Sequence, residues 1–247
     1  MKKINMLRGL IFSALLIAPA VYGAVTVDIN GSQYQFDTNP RLSEVLAPVA
    51  LQSNWYWPAA ALYRLDSDEP EQLRQQVLQQ IAQLKQYNAA DSDLVTTLQS
   101  LERQVAAWRL AKRIAKPIDY DFARVRPDLN PRFDNGAYLL QLKQRPGNVY
   151  LFGALNSEMT VTHRGAAPAA DYMLSARPTG TADVTELMLV QPDGKVQAAG
   201  AAYWNHAHIE AMPGAQMFVP LRSQLFSSQL DILNKRLLEL ASHRVLP

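Results

Sequence analysis

The sequence predicts an α+β protein built from two similar small units, with a helical insertion in the first and an amphipathic helix after the second. Three observations carry this reading. The stretches 24–147 and 148–222 both run through paired strands, a short helix and a closing strand. Between 69 and 113 the texture turns Gln- and Ala-rich, lacks Gly, and places apolar residues every three or four positions. From 223 to 247 a further helical stripe follows. Apolar content of 48% and charged content of 19% are ordinary for a globular chain.

The first 23 residues read as a cleaved secretory leader. Lys2, Lys3 and Arg8 precede the apolar run 10–20, which is too short to span a bilayer, and a cut before Ala24 fits. Without that segment the formal charge falls from +2 to about −1, so no nucleic-acid footprint is expected. The chain has no Cys, which excludes disulfides, thiolate metal sites and a lipid-modified N-terminal Cys. The expected location is the periplasm.

Val25-Thr-Val-Asp-Ile29 alternates as a half-buried strand does, Asn30-Gly31 is a strong hairpin signal, and Gln33-Tyr-Gln-Phe36 returns. Asn39-Pro40 opens a short helix over 41–47. Trp55, Tyr56 and Trp57 sit in an aromatic turn, and 59–65 leads out as a strand. Leu73, Val77, Ile81 and Leu84 form one stripe, and Leu94, Leu98, Leu101, Val105 and Trp108 another. These two stripes predict a helical hairpin. Strand texture resumes at Ile118 and runs through the alternating 123–127, and 137–142 is the next strand.

The second unit repeats this order with strands at 148–154 and 159–163, a short helix at 168–176, a central strand at 184–190, and a Pro192-Asp-Gly-Lys195 turn. Asn135-Gly-Ala-Tyr-Leu-Leu aligns with Pro213-Gly-Ala-Gln-Met-Phe, which supports an internal repeat. In the tail, Phe226, Leu230, Leu233, Leu237 and Leu240 make an apolar face that must be covered by the protein itself, a partner or a membrane surface; packing at home is favoured.

No nucleophile, phosphate-loop or dinucleotide motif is present, so no catalytic residue and no cofactor is assigned. His206-x-His208-x-Glu210 would share a strand face, but one short match without a fourth ligand reads as a polar edge, and no metal is assigned. Asp119 and Asp121, with Asp128 following, are a possible acid and base on a glycan if they lie on a strand. Trp55, Trp57 and Trp204 offer flat faces to sugar rings, and Arg109 and Arg113 offer donors to hydroxyls or carboxylates.

Asn54-Trp-Tyr-Trp-Pro58, the Arg113 region before 119–125, Val149-Tyr-Leu-Phe-Gly153, Val190-Gln-Pro-Asp-Gly194 and Tyr203-Trp-Asn205 with Met212-Pro-Gly214 together resemble the GfcC/YjbG family of periplasmic capsule and exopolysaccharide proteins. The resemblance implies two β-grasp domains, a helical hairpin inserted in the first, and likeness to the periplasmic domains of the outer-membrane polysaccharide exporter. It also implies that Arg113 lies in a cleft, although the family's Thr-Gly before this Arg is Ala111-Lys112 here. The function expected is a non-catalytic accessory role in export, binding the exporter, the polysaccharide or both. The alternative is a polysaccharide-modifying enzyme centred on Arg113.

Overall fold

The computed structural model describes residues 25–225 and 227–247. The leader read at 1–23 and Phe226 of the tail stripe lie outside the described residues. The chain is α+β, with two five-stranded sheets and helices packed on them.

The first sheet contains β1 (Val25–Ile29), β2 (Ser32–Phe36), β3 (Ala61–Arg64), β4 (Lys112–Ile114) and β5 (Gly136–Gln141), in the order β2-β1-β5-β3-β4. The second contains β6 (Asn148–Gly153), β7 (Met159–Thr162), β8 (Glu186–Val190), β9 (Val196–Gly200) and β10 (Gln216–Val219), in the order β7-β6-β10-β8-β9. Each sheet has one parallel pair, β1 with β5 and β6 with β10, and its other neighbours are antiparallel. The two paths are therefore the same, strand for strand. At the β1–β2 turn Asn30 and Gly31 have φ of 50° and 89°, the positive pair a tight hairpin needs, and Asp28 Oδ1 accepts the Gly31 N–H at 2.7 Å.

One face of the first sheet is covered by α1 (Leu42–Leu46). Its Leu42, Val45 and Leu46 are buried with Val25, Val27 and Leu140. The stretch expected to be a strand from Ile118 is instead a short helix, α4 (Tyr120–Val125). The Asp119 carboxylate caps it by accepting the Phe122 N–H at 3.0 Å, a local bond that outweighs the alternating pattern of 123–127. In the second half a 3-10 helix, Ala169–Leu174, takes the place of α1, with Tyr172 buried.

Between β3 and β4 run α2 (Glu69–Tyr87) and α3 (Ser92–Ala107), which pack against each other. Pro70 and two acids open α2, and Asp91 caps α3 by accepting the Leu94 N–H at 3.0 Å. The stripes of these helices do not cover their own sheet. Val77, Ile81, Leu84, Leu98, Leu101 and Val105 join one core with the second sheet. Gln104 makes a buried two-way bond with Gly153, its amide donating to the carbonyl and accepting the N–H at 3.0 Å each. The Trp108 ring meets Phe152 edge-on at 5.3 Å, and Phe152 stacks on Phe218 at 5.1 Å. The tail helix α5 (Gln229–Ser242) starts later than its stripe suggested. It lies against α2 and β8, with Leu230, Leu233, Leu237 and Leu240 buried.

Phe152, Phe218 and Gln216, whose amide donates to Ala241 O, face these helices, so strand alternation turns Leu151 and Met217 to the other face. Matching the buried Val25 and Val27 of β1 to Val149 and Leu151 of β6 then aligns Tyr138 with Met217. The match read from Gly136-Ala and Gly214-Ala is thus one residue out of register, enough to exchange the two faces.

Candidate functional site

Arg113 lies on β4, not on the helical segment, and is paired across the ladder with Tyr63 of β3. Its guanidinium sits 5.3 Å from the centre of the Tyr63 ring. One terminal nitrogen donates to Pro192 O at 2.7 Å, in the β8–β9 turn of the other half, and the second reaches Tyr63 Oη at 3.4 Å. The Arg113 backbone N–H donates to His243 Nδ1 at 3.1 Å, and the Tyr63 hydroxyl donates to Arg244 O at 3.0 Å. Arg113 thus ties the first sheet to the turn of the second and to the chain after α5.

Tyr63, Arg113 and Pro192 border a cavity of about 60 Å³ between the two halves, whose other walls include Lys143, Tyr150, Gln216, Arg244 and Pro247. Burial pushes the Tyr63 phenol up, against the pull of Arg113, so it stays protonated. Burial also lowers Lys143. Arg244 is held by Glu158 at 2.6 Å and lies over the Trp108 ring at 4.8 Å.

A second, larger opening of about 500 Å³ runs along the same junction. Trp57 and Pro58 form part of one wall, and Ile118 and Phe122 continue it. Met212, Asp193 and Lys195 from the second half form the other. Phe122 is 54% exposed, so its ring is open to a ligand. The volume falls in the range of small-molecule sites, about 300–1,000 Å³.

The structure separates the other residues singled out by sequence. Trp55 is half-buried and its Nε1–H donates to Val49 O at 2.9 Å, which makes it part of the turn's framework. Arg109 is exposed, with its carbonyl accepting the Val245 N–H. Trp204 is 78% exposed in the loop after β9. None of these three lines either opening. Asp119 and Asp121 do not share a strand face. Asp119 caps α4, and residues two apart on a helix point roughly 200° apart. Asp128 pairs with Arg126 at 2.8 Å, and that bond holds its carboxyl below the usual range. Residues 206–209 are not a strand; His208 Nε2 meets Glu210 Oε1 at 3.2 Å, and among the described residues no group of three or more His, Asp or Glu could hold a metal ion.

Lys143, Tyr150, Gln216 and Arg244 were not legible as site residues, because they come from four separate segments, the link between the sheets, β6, β10 and the chain after α5, that only the tertiary fold brings to Arg113. Phe122 had a faint signal as an aromatic next to the Asp119–Asp121 pair.

Two family models account for most of the chain. Capsule biosynthesis GfcC, N-terminal, matches residues 21–145, and Capsule biosynthesis GfcC C-terminal matches residues 157–246. A relative from Escherichia coli (strain K12), called "Uncharacterized protein YjbG", is 29% identical over 233 residues, covering 92% of this chain and 94% of its own length.

Proposed function

The chain belongs to the GfcC/YjbG family of capsule-biosynthesis proteins, and from that premise we propose that it is a periplasmic accessory protein of capsule or exopolysaccharide assembly. In this reading it binds an outer-membrane polysaccharide exporter, the polysaccharide, or both, and performs no chemistry on the polymer. The two sheets act as β-grasp units, with α2 and α3 as a helical hairpin inserted in the first.

The observation that carries the binding role is the opening of about 500 Å³ along the junction, where Trp57 and Phe122 offer flat apolar faces within reach of Lys195 and Asp193. A sugar ring has one apolar face and a rim of hydroxyls, which suits such a wall. The neighbouring Arg113 bond to Pro192 O fixes the turn that carries Asp193 and Lys195, so the opening is held in shape.

Binding of the protein to purified exporter and to extracted polymer, at low and moderate salt, tests the proposal. Capture of at least one is expected, with polymer capture weakened by Phe122→Ala. No interaction with either would sink it. The alternative, an enzyme centred on Arg113, is tested by sizing polymer after incubation: shortening by the wild type but not by Arg113→Ala would replace the accessory reading.

A further inference from the structure

We infer that the chain associates head to tail with copies of itself, the Tyr203–Trp204 turn of one molecule entering the apolar opening beside Trp57 and Phe122 of the next. The inserted part is a β-turn. The Asn205 N–H donates to Ala202 O at 3.2 Å, which puts Tyr203 and Trp204 at the two corner positions. Such corners usually hold Gly, Pro, Asn, Asp or Ser. Here they carry aromatic rings, 99% and 78% exposed. The frame beneath them is fixed. Asn205 Oδ1 accepts the Ala202 N–H at 2.9 Å, and the Asn205 amide donates to Thr185 O at 3.0 Å. The Ala201 N–H donates to the same carbonyl at 2.8 Å. Gly200 lies so close that a Cβ there would stand 1.9 Å from Asn205 O. Two large rings held out into water by such a frame mark a contact surface.

Shape and charge select the occupant. A protruding pair of rings calls for a concave apolar seat, which an extended sugar chain does not supply. An anionic membrane surface calls for cations, and between 182 and 210 the one Lys or Arg is Lys195, at the far end of the β8–β9 hairpin. The opening on the same chain supplies the seat, with Trp57, Pro58, Ile118, Phe122 and Met212. Of its two lysines, Lys195 is matched by Asp193 at 3.0 Å. Lys116 is exposed and has no ion pair among the described residues. Beside the turn stands Glu186, the register partner of Gly200, also exposed and without an ion pair among the described residues. The free acid next to the turn thus complements the free base next to the seat.

Geometry makes the contact intermolecular. The opening takes Asp193 and Lys195 from the closed end of the hairpin, and the aromatic turn leaves its open end. The five residues of β9 set these ends roughly 16 Å apart, so the turn does not reach its own opening. A knob and a seat on different parts of one molecule form a heterologous contact, which repeats along a line of molecules or closes into a ring.

Sedimentation velocity of the purified protein from about 10 μM to about 1 mM, the range of weak contacts, is the test. The weight-average mass should rise with concentration past that of a dimer. Trp204→Ala and Phe122→Ala should each weaken association at least about tenfold, as loss of a central aromatic anchor does. Trp204→Ala keeps the seat and Phe122→Ala keeps the knob, so an equal mixture of the two should form 1:1 pairs and nothing larger. Lys116→Glu should also weaken association, and Glu186→Lys added to it should restore it; both side chains are exposed, so the fold is kept. A monomer across the whole range, association unchanged by Trp204→Ala, a mixture that does not pair, or no recovery on charge reversal would each overturn the inference. Self-association does not rest on the accessory reading, but it uses the same opening. Extracted polymer should therefore disperse the oligomers. Oligomers that persist in saturating polymer would remove the sugar seat from this opening and leave the self-contact in place.

Discussion

In the first sheet, the connection from β3 to β4 runs through two helices of 19 and 16 residues; in the second, β8 passes to β9 through a tight turn at 191–195. The strand order is otherwise the same. The first sheet closes one face with α1, and a small cluster of Ala61, Tyr63, Ala111, Leu139 and Val245 closes the other. The second sheet borrows its cover, from α2 and α3 of the first half and from α5. The insertion is thus an addition to the first sheet in sequence and a core element of the second in space. Two units with the same path need not be two independent folding units.

The strongest way to break this comparison is to express 148–247 without the first half. That fragment loses Val77, Ile81, Leu84, Leu94, Leu98, Leu101, Val105 and Trp108 from its core. At about 2 kcal/mol gross for each buried side chain, the loss is on the order of 15 kcal/mol, as large as the whole stability of a typical domain. The fragment should show no cooperative thermal transition. A sharp transition would mean that the second sheet closes without α3. Next in size, Leu101→Ala should cost about 2–5 kcal/mol in urea unfolding. Its native-state amide exchange should rise on β6 and β10 before β1 and β5, because Leu101 belongs to the second sheet's core although it stands in the first half of the chain.

The elements of this comparison were mostly legible. The stripes of α2, α3 and α5 follow helical periodicity, and a helix stripe states that a face is buried. It does not state against what, so the crossing of α3 to the other sheet stayed hidden. The repeat was visible through Gly136-Ala and Gly214-Ala but came out one residue off, since glycine marks a turn and not the side of a strand. At 118–127 a period of two was misleading, because the cap at Asp119 decides the local structure and the stretch is too short for periodicity to separate helix from strand. Of the site, Arg113 and Trp57 were reachable from sequence. The residues that complete each opening come from chain segments about 30 to 155 positions away, and no spacing rule links them.

Arg113 sharpens the comparison at a point of direct exchange, from the edge strand of the first sheet to the short turn of the second. Arg113→Met keeps the length and apolar stem but removes the bonds to Pro192 O and Tyr63 Oη. A hydrogen bond from a charged group contributes about 1.5–3 kcal/mol, so the loss in urea unfolding should fall in that range. The locus should be specific, with faster amide exchange at 191–195. Arg113→Lys should recover only part of it, since an ammonium cannot serve both acceptors in the plane of a guanidinium. Equal exchange in wild type and Arg113→Met would show that the Arg113 bonds do not hold this turn in place.

The smallest expected effect is a pH dependence at the same junction. The Arg113 N–H donates to His243 Nδ1, and that bond requires the nitrogen's lone pair. Burial lowers His243 from its ordinary value of 6.5; Glu69 and Glu239 pull it back up, while Lys112 and Arg113 push it further down. As the pH falls, the unfolded chain therefore takes up this proton before the folded one does, and acid favours unfolding. The contribution is fully present above about pH 6.5 and declines below it until the folded imidazole is itself protonated. The carboxyls that are held low, on Asp66, Glu69 and Asp128, start from 3.8 and 4.5, so they act in a lower range. Urea midpoints at pH 7.5 and 5.5 should differ in the wild type, with the lower value at 5.5, and should differ less in His243→Gln, whose amide oxygen can accept the same N–H without titrating. If the two proteins lose stability equally between these values, the chain after α5 is not held through a neutral His243 but through its other bonds, such as the Tyr63 hydroxyl to Arg244 O and the Val245 N–H to Arg109 O.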